Sequence, residues 1–542
     1  MFEAAARTLL ETGGLLILSE GGDTMTRSKS SHWLSLALVI GCCRCSSSEG
    51  IHGSDGGSNA DASNPDGTGA DGMTADGTST DSLGGDGSGT DGPSTEASSM
   101  DGANPDASRS AAPLLNVGSN KRYLVDPNGH PFYLVGDTAW CLLPGLTVSE
   151  ATTFFQTRAG QGFNAVLMDA DVQLGASPVG APQRGPADAY GNKPFNGTLS
   201  GGEFDVSTVP AQGDTTSTAG KYWANVDAII AAASQNGIEI IFDVYDNYNP
   251  WFGGGSSPNA TAKLKTYGQF LGQRYVGFDN IIWMLGNDYN EGATGDANLA
   301  AVIQGIRQYD TRHIGWAIDE YGAGFDNTGL RSDFALNSIY EYSTGPWRSV
   351  YLAQYSRSDF GPIVNIESGY ENNTALGVSE ANLREEHYSF LLSGATGDTY
   401  GNEYVWPFDD SWKSWQGALT SEGSREVGYL AQLVNSIAWN NLVPDQNGTL
   451  FQGVGTPADY CGARSSDGTL ALAYRPATGQ TSQSFVVNMG QLAGQVTARW
   501  YDPTAGTYTS IGSFTNSGMH TFDSPSTNGA GANDFVLVLQ TH

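Results

Sequence analysis

The sequence Asn280-Ile281-Ile282-Trp283-Met284-Leu285-Gly286-Asn287-Asp288-Tyr289-Asn290 decides how the rest of the chain is interpreted. Its first half is an uncharged run of β-branched, aromatic and aliphatic residues, which is typical of a strand buried on both faces. Gly286 ends the run, and Asn287 and Asp288 follow where the carboxyl end of the strand is expected. In barrels of alternating strands and helices, functional groups come from these ends. Asn and Asp also favour helix N-caps, so this stretch alone leaves a cap and a functional site equally open.

The same alternation of strand and helix recurs through residues 113–440. Short apolar runs that end in polar residues predict eight strands, at 132–135, 163–168, 238–244, 281–285, 314–318, 334–339, 362–366 and 397–400. Patterns with helical spacing lie between most of them, at 147–161, 222–236, 261–275, 298–309, 347–356 and 380–392. Eight such units predict an α/β fold, a (β/α)₈ TIM barrel. A doubly wound sheet is the alternative, but no G-x-G-x-x-G motif follows the first strand.

The residue pattern changes after the predicted barrel. Residues 445–542 contain short strand-like runs, such as 469–474, 484–488, 496–501 and 534–539, separated by turn signals. This spacing predicts a small C-terminal β-sandwich as an accessory domain.

The first 45 residues have the pattern of an export signal. From Met25, the basic residues Arg27 and Lys29 precede a short apolar run at 33–41 that is too short to span a membrane. The run ends in Val39-Ile40-Gly41-Cys42, which resembles a bacterial lipobox with Cys42 as the lipidated residue. An ordinary signal peptide is the alternative, and either Met1 or Met25 is the start. We expect an exported protein, either a cell-surface or outer-membrane lipoprotein or a secreted one, with membrane contact only through the lipid anchor.

Residues 46–112 have the composition of a disordered acidic linker. They consist mainly of Gly, Ser, Asp, Asn, Thr and Ala, and an acidic residue recurs at every fifth position from Asp61 to Asp106. A calcium loop needs several ligands at alternate positions, which this period does not provide. We therefore predict a self-repelling tether.

The overall composition bounds the partners. The 542-residue chain has a formal net charge of −32 with 15% charged residues, so the basic surface that binds nucleic acid is absent. Of the five cysteines, Cys42, Cys43 and Cys45 cluster without a further His/Cys set at zinc spacing. Whether Cys141 and Cys461 form a disulfide is not decided by sequence. We expect a monomer whose partner is an oligo- or polysaccharide.

A barrel collects its strand-end residues at one mouth. The carboxylates that the predicted strands place there are Asp137, Asp169, Asp246, Asp288, Asp319, Glu320, Glu341 and Glu367. Glycoside hydrolysis needs two carboxyl groups, and Asp288 and Glu367 stand out at the fourth and seventh strand ends. A single strand-end carboxylate is more often a capping group. A set that converges with Trp140, Trp251 and Trp406 favours a site.

Other reaction classes lack their motifs. The sequence contains no G-x-S-x-G, no G-x-x-x-x-G-K-[ST] and no H-E-x-x-H. We therefore expect no catalytic metal and no cofactor.

Several segments resemble the apiosidase-like glycoside hydrolase family over about residues 115–440. They are Arg122 to Trp140, Gln161-Gly162-Phe163-Asn164, Asn280 to Asp288, and Gly394 to Gly401. The C-terminal part resembles the β-domain, labelled a collagen-binding domain, that often follows this barrel. The resemblance implies a retaining mechanism with Asp288 as acid/base and Glu367 as nucleophile. Tyr340-Glu341-Tyr342 departs from the family's Gln-containing pattern, which leaves the substrate open.

We accordingly predict a retaining glycoside hydrolase that acts on a side chain of a plant or microbial polysaccharide. The residues predicted to bind substrate are Asp137, Trp140, Asn164, Asp246, Trp251, Asn287, Tyr340 and Trp406. The alternatives are a catalytically inactive carbohydrate-binding surface lipoprotein and an adhesin that acts through its C-terminal domain.

Overall fold

A computed structural model of the protein describes residues 110–541 except 172–179, 183, 254–255, 290–291, 320–321, 343–344 and 480. The side chains of residues 293 and 316–319 also lie outside the description. The predictions for Cys42, for the linker up to residue 109 and for Glu320 therefore fall outside the described residues.

Eight parallel strands form the first folded part. They are β1 Leu134–Thr138, β2 Ala165–Asp169, β3 Glu239–Asp243, β4 Ile281–Tyr289, β5 Gly315–Asp319, β6 Asn337–Tyr340, β7 Ile363–Glu367 and β8 Gly397–Asn402. Every residue of β1, β2, β3, β7 and β8 is buried, because helices cover the outside and side chains fill the inside. Burial on both faces explains the apolar residues in the middle of strands such as β2 and β3.

The strands close into a barrel. Each pairs in parallel with the strand before it, from β1 to β5 and again from β6 to β8. β8 returns to β1, where Gly397 lies opposite Leu134. Between β5 and β6, the backbone N–H of Ala335 donates to the carbonyl oxygen of Gly315 at 3.1 Å. The predicted (β/α)₈ fold class is confirmed.

Seven helices of nine residues or more accompany these strands among the described residues. They are α1 Val148–Gly160, α2 Thr218–Gln235, α3 Thr261–Tyr275, α4 Gly292–Ile306, α5 Trp347–Tyr355, α6 Glu380–Leu392 and α7 Glu422–Asn435. Capping boxes at Thr147 and Ser379 begin α1 and α6. α4 begins six residues before the predicted start at 298, since its first turns carry no apolar periodicity. After β5, two 3₁₀ turns at Gly324–Asp326 and Arg331–Asp333 stand where a helix is usual.

Glycines allow α3 and α4 to approach closely. A Cβ at Gly268 would lie 2.2 Å from the carbonyl oxygen of Val302, and one at Gly305 would lie 2.3 Å from that of Lys265. Any larger side chain at either position would therefore separate the two helices.

Smaller elements complete the barrel part. They are the strands Asn116–Val117, Leu124–Val125, Pro131–Phe132, Gly322–Ala323 and Tyr370–Glu371, the short helices Leu142–Gly145 and Trp415–Ala418, and the 3₁₀ turn Trp439–Asn441.

The C-terminal part is a β domain, as predicted. Its strands are β9 Leu442–Pro444, β10 Cys461–Ser465, β11 Leu470–Tyr474, β12 Ser484–Asn488, β13 Val496–Asp502, β14 Thr507–Phe514, β15 Met519–Asp523 and β16 Val536–Thr541, with a 3₁₀ turn at Met489–Gln491. Six strands form one antiparallel sheet in the order β9-β10-β11-β16-β13-β14, and β12 pairs with β15. Phe485 and Trp500 pack in the core of this domain.

The six-stranded sheet also packs against helices of the barrel. Tyr388 of α6 stacks on Tyr474 of β11 with ring centroids 5.0 Å apart. The buried Arg384 guanidinium pairs with Glu426 of α7 at 2.8 Å and with Asp534 at 2.7 Å. The β domain and the barrel therefore share a buried interface with a charged network inside it.

Two sequence questions are answered for the described part of the chain. Cys141 and Cys461 are both buried and free, so they do not form a disulfide. None of the helices between residues 110 and 541 that the structure describes is long and apolar enough to cross a membrane.

Candidate active site

Asp288 and Glu367 lie at the carboxyl ends of β4 and β7. Burial raises the pKa of Glu367 well above its ordinary value, and the nearby charge of Asp288 raises it further. Hydrogen bonds from Tyr370 and Tyr342 act in the opposite direction. The charge of Asp288 is therefore close enough to disfavour a negative charge on Glu367.

The backbone around Asp288 departs from a regular strand. The pairing of β4 with β5 is interrupted between Leu285 and Tyr289. Gly286 has a φ of 90° and Asp288 a φ of 47°, both in the left-handed region. A non-glycine residue with this φ is uncommon, and such bulges re-aim side chains next to active sites. The Asn247 side chain holds the bulge by donating to the Asp288 carbonyl oxygen at 3.2 Å.

Three tyrosines surround the pair. The Tyr370 hydroxyl donates to Glu367 Oε1 at 2.8 Å, and the Tyr342 hydroxyl donates to the same oxygen at 3.4 Å. The Tyr340 hydroxyl lies near both carboxyl groups, because after burial the charges of Glu367 and then Asp288 contribute to its raised pKa. Hydrogen bonds to a carboxylate favour its charged form, so the two donors on Glu367 oppose the effect of burial. Sequence reasoning included Tyr340 and missed Tyr342 and Tyr370, because a tyrosine near a strand end carries no signal of its own.

Two tryptophans lie close to these tyrosines. Trp140 is 4% exposed, and its Nε1 donates to the Tyr370 hydroxyl at 2.8 Å. A chain of hydrogen bonds therefore runs from Trp140 through Tyr370 to Glu367. Trp406 is 8% exposed and belongs to the same side-chain cluster as Trp140 and Tyr370.

Asp137 is buried and paired with an arginine. Its Oδ2 accepts a hydrogen bond from Arg158 Nε at 2.6 Å, and both side chains are completely buried. Burial raises the pKa of Asp137 to about 6, and the Arg158 charge opposes that rise. This pair ties β1 to α1, and substrate binding by Asp137 stays a prediction.

Asn164 and Trp251 are placed away from the pair. Asn164 precedes β2, at the amino end of the barrel, where its side chain bonds the backbone N–H of Val135 and the carbonyl oxygen of Tyr133 at 2.8 Å each. Trp251 is 2% exposed, and its Nε1 donates to Asp171 at 3.1 Å. Both have local partners in place of a sugar, so the structure does not support the prediction that they bind substrate.

The remaining strand-end carboxylates have different placements. Glu341 donates its backbone N–H to the Glu367 carbonyl oxygen at 3.1 Å, beside the site. The side chain of Asp319 lies outside the description. Within the parts of the chain that the structure describes, no group of three or more His, Cys, Asp or Glu residues is arranged to hold a metal ion.

Comparison with known families identifies the barrel. Residues 118–441 match the model of the apiosidase-like catalytic domain. The chain belongs to the apiosidase-like family. The protein is accordingly a glycoside hydrolase, and the two-carboxylate mouth fits that chemistry. Residues 443–540 match the model described as "Putative collagen-binding domain of a collagenase". A comparison with curated protein sequences gave no match.

Solved structures support the fold of this apiosidase-like protein. A structure titled glycoside hydrolase is 21% identical with a TM-score of 0.66, and the match covers 80% of this chain and 98% of that one. A family 5 glycoside hydrolase from Bacteroides vulgatus ATCC 8482 is 22% identical with a TM-score of 0.66, covering 80% and 95%. At these identities the likeness concerns the fold.

A buried acidic cluster lies beside the apiosidase-like site. It consists of Asp169, Asp243 and Asp246, each at most 1% exposed. Asp246 borders the mouth, since it forms a β-bridge with Asn287. Burial, and then the neighbouring carboxylates, raise the pKa of Asp169 well above its ordinary value, and burial raises that of Asp243 to about 7. The folded protein therefore holds protons here that the unfolded chain would release.

Asp169→Asn is expected to weaken the pH dependence of stability. Because the folded pKa of Asp169 is raised, the favourable contribution is complete below about pH 4 and is lost as the pH rises through that raised folded pKa. Asn cannot ionise, so the variant should gain stability relative to the parent at pH 8, by about 1.4 kcal/mol for each unit of pKa shift. Urea unfolding at pH 4.5 and pH 8 measures the difference.

The exposed Asp467 supplies the matched control. Hydrogen bonds from Ser465 and Thr469 lower its pKa to about 2, so it is ionised in both states across this pH range. Asp467→Asn should therefore leave the pH dependence unchanged. If the free energy of unfolding changes equally between pH 4.5 and pH 8 in the parent and in Asp169→Asn, the expectation is contradicted.

Tyr370→Phe is expected to move the acid limb of activity to higher pH. The Tyr370 hydroxyl lowers the pKa of Glu367, against the larger upward effect of burial. Removing it raises that pKa, so a higher pH is needed to ionise Glu367. The dependence of kcat/KM on pH reports this ionisation in the free enzyme. An unchanged or lowered acid limb would contradict the expectation.

Proposed function

We propose that this glycoside hydrolase acts with retention of configuration on a side-chain sugar of a plant or microbial polysaccharide. The observation that carries the proposal is the closeness of Asp288 to the buried Glu367, which accepts hydrogen bonds from Tyr370 and Tyr342. The family and the fold support the reaction class.

Glu367 is proposed as the nucleophile. Its carboxylate attacks the anomeric carbon as the bond from that carbon to the leaving oxygen breaks, forming a glycosyl-enzyme ester. The hydrogen bonds from Tyr370 and Tyr342 to Oε1 place donors where the negative charge must reside before attack. They also hold the carboxylate in a single orientation.

Asp288 is proposed as the acid and base. It donates its proton to the leaving oxygen in the first step and removes a proton from the attacking water in the second. Asp288 has a left-handed backbone at the irregular end of β4, the kind of position where a bulge changes the direction of a side chain.

The test is hydrolysis by the full chain, screened on pectic and other plant or microbial polysaccharides. Released sugars are identified by chromatography, and the anomer formed first is read by proton NMR. The proposal expects a monosaccharide released with its original anomeric configuration. Inversion would overturn the retaining mechanism, and internal cleavage without release of a side-chain sugar would overturn the substrate class.

We further propose that the protein is exported and anchored by a lipid at Cys42. The support is the basic and apolar sequence from Met25 to the lipobox Val39 to Cys42. Labelled fatty acid should enter the expressed full chain and not its Cys42→Ala variant. Absence of label in the parent would end the anchor proposal and leave secretion.

A further inference from the structure

A third carboxylate, Glu403, lies at the same mouth and has no role in a two-carboxylate mechanism. It follows directly after β8, and it is 4% exposed, against 6% for Glu367. Its backbone N–H donates to the carbonyl oxygen of Glu371 at 3.0 Å. The short strand that contains Glu371 begins at Tyr370, which donates to Glu367. Glu403 is therefore built into the segment that supports the nucleophile.

Two donors hold the Glu403 side chain. Asn373 Nδ2 donates to Oε1 at 2.7 Å, and Trp406 Nε1 donates to Oε2 at 3.0 Å. The orientation of the Asn373 amide is set, because its Oδ1 accepts from the backbone N–H of Leu376 at 3.0 Å. Rotating the carboxylate would break both bonds. The Glu403 carboxylate therefore fixes the position of the Trp406 indole by accepting its N–H.

The charge of Glu403 also reaches the nucleophile. Burial is the main cause of the raised pKa of Glu367, and the charge of Glu403 adds to it after that of Asp288. The same charge contributes to the raised pKa of Tyr342, again after burial. Both effects indicate that Glu403 lies close to Glu367 and to Tyr342, since the interaction of charges falls off with distance.

We propose that Glu403 is a positioning residue for the glycosidase reaction, which sets the plane of the Trp406 indole at the mouth and so determines which sugar fits against it. The inference rests on the proposed function. A hydrogen-bonded tryptophan keeps one ring orientation, and sugar rings pack on such faces through their C–H groups. A loosened indole would accept more sugars, each more weakly.

Glu403→Gln tests the proposal with little change in size. Glutamine has one acceptor oxygen, so its amide nitrogen must face either Trp406 Nε1 or Asn373 Nδ2, which are both donors. We expect KM to rise about tenfold while kcat changes by less than about threefold, as expected for weaker substrate binding. The acid limb of kcat/KM should move to lower pH, opposite to Tyr370→Phe, because a negative charge near Glu367 is removed.

Trp406→Phe separates the two effects. It removes the N–H that Glu403 holds but keeps the charge of Glu403, so KM should rise and the acid limb should stay in place. Glu422→Gln makes the same chemical change at an exposed position in the first turn of α7, and both quantities should equal those of the parent.

Thermal melting of each full-length variant shows whether it folds. A folded Glu403→Gln variant with the parent's KM and pH profile would overturn the proposal. If that variant does not fold, Trp406→Phe decides: a raised KM supports the positioning role and an unchanged KM overturns it. Full activity of Glu367→Gln would instead refute the proposed function, whatever the Glu403 variant does.

Discussion

Glu367→Gln is expected to lower kcat by about a thousandfold or more, because the amide cannot form the glycosyl-enzyme ester. The change keeps the size of the side chain and an oxygen that accepts from Tyr370, so the fold should persist. Burial makes the ionised Glu367 costly, and removing this carboxyl should therefore leave stability unchanged or slightly higher. Steady-state kinetics on the released sugar, with a melting curve, measures both.

Asp288→Asn provides the matched comparison. It should also slow hydrolysis of natural substrates, by about 10² to 10⁴-fold, since the leaving oxygen receives no proton. With a leaving group such as a nitrophenol, which needs little protonation, the first step should recover and a burst of nitrophenol should precede slow turnover. Glu367→Gln should show no such recovery. Full activity in both variants would contradict the assignment of the pair.

Arg158→Met is expected to lower the free energy of unfolding by about 3–5 kcal/mol, because it leaves the buried Asp137 without its cation. Arg158 also bonds the side chain of Gln161 at 2.8 Å and the carbonyl oxygen of Leu419 at 3.1 Å, and both bonds would be lost. A domain is typically stable by only about 5–15 kcal/mol, so this is a large fraction. Urea unfolding followed by tryptophan fluorescence measures the change.

The pH dependence of stability and a double variant test whether loss of the ion pair with Asp137 destabilises Arg158→Met. Burial raises the folded pKa of Asp137 to about 6, so its favourable contribution is present below about pH 4 and is lost as the pH rises through about 6. Without Arg158 the pKa of Asp137 rises further. Arg158→Met should therefore lower the free energy of unfolding more at pH 8 than at pH 5. Adding Asp137→Asn should recover part of the loss. If the double variant is less stable than Arg158→Met, the ion pair is not the cause.

Much of the architecture was predictable, because it depends on patterns that are local in the chain. The apolar runs predicted all eight barrel strands, although the observed strands are shifted by a few residues at their ends. Helix α4 was placed too late, since its first turns carry no apolar stripe. The β domain after the barrel was predicted from the same kind of signal, short runs separated by turns.

The site was predictable only in part. Strand-end position gave eight candidate carboxylates, and the family resemblance assigned roles to Asp288 and Glu367. The structure brings these two together with Tyr340, Trp140 and Trp406. The same rule selected Asp137, whose partner Arg158 is 21 positions away on a helix. It did not select Tyr370, which lies in a two-residue strand after β7, or Glu403, which directly follows β8, because neither has a recognisable sequence pattern.

The sequence by itself determined where each strand ends, to within a few residues, and which polar residues lie near that end. It did so because burial on both faces selects apolar residues and a strand end releases that selection. Only the tertiary structure decided what each of those polar residues does. Asp137 and Asp288 look alike in sequence, yet one meets a buried arginine and the other meets a second carboxyl group across the barrel. The cost of a buried charge depends on the partner that the fold brings to it, and that partner lies far away in the chain.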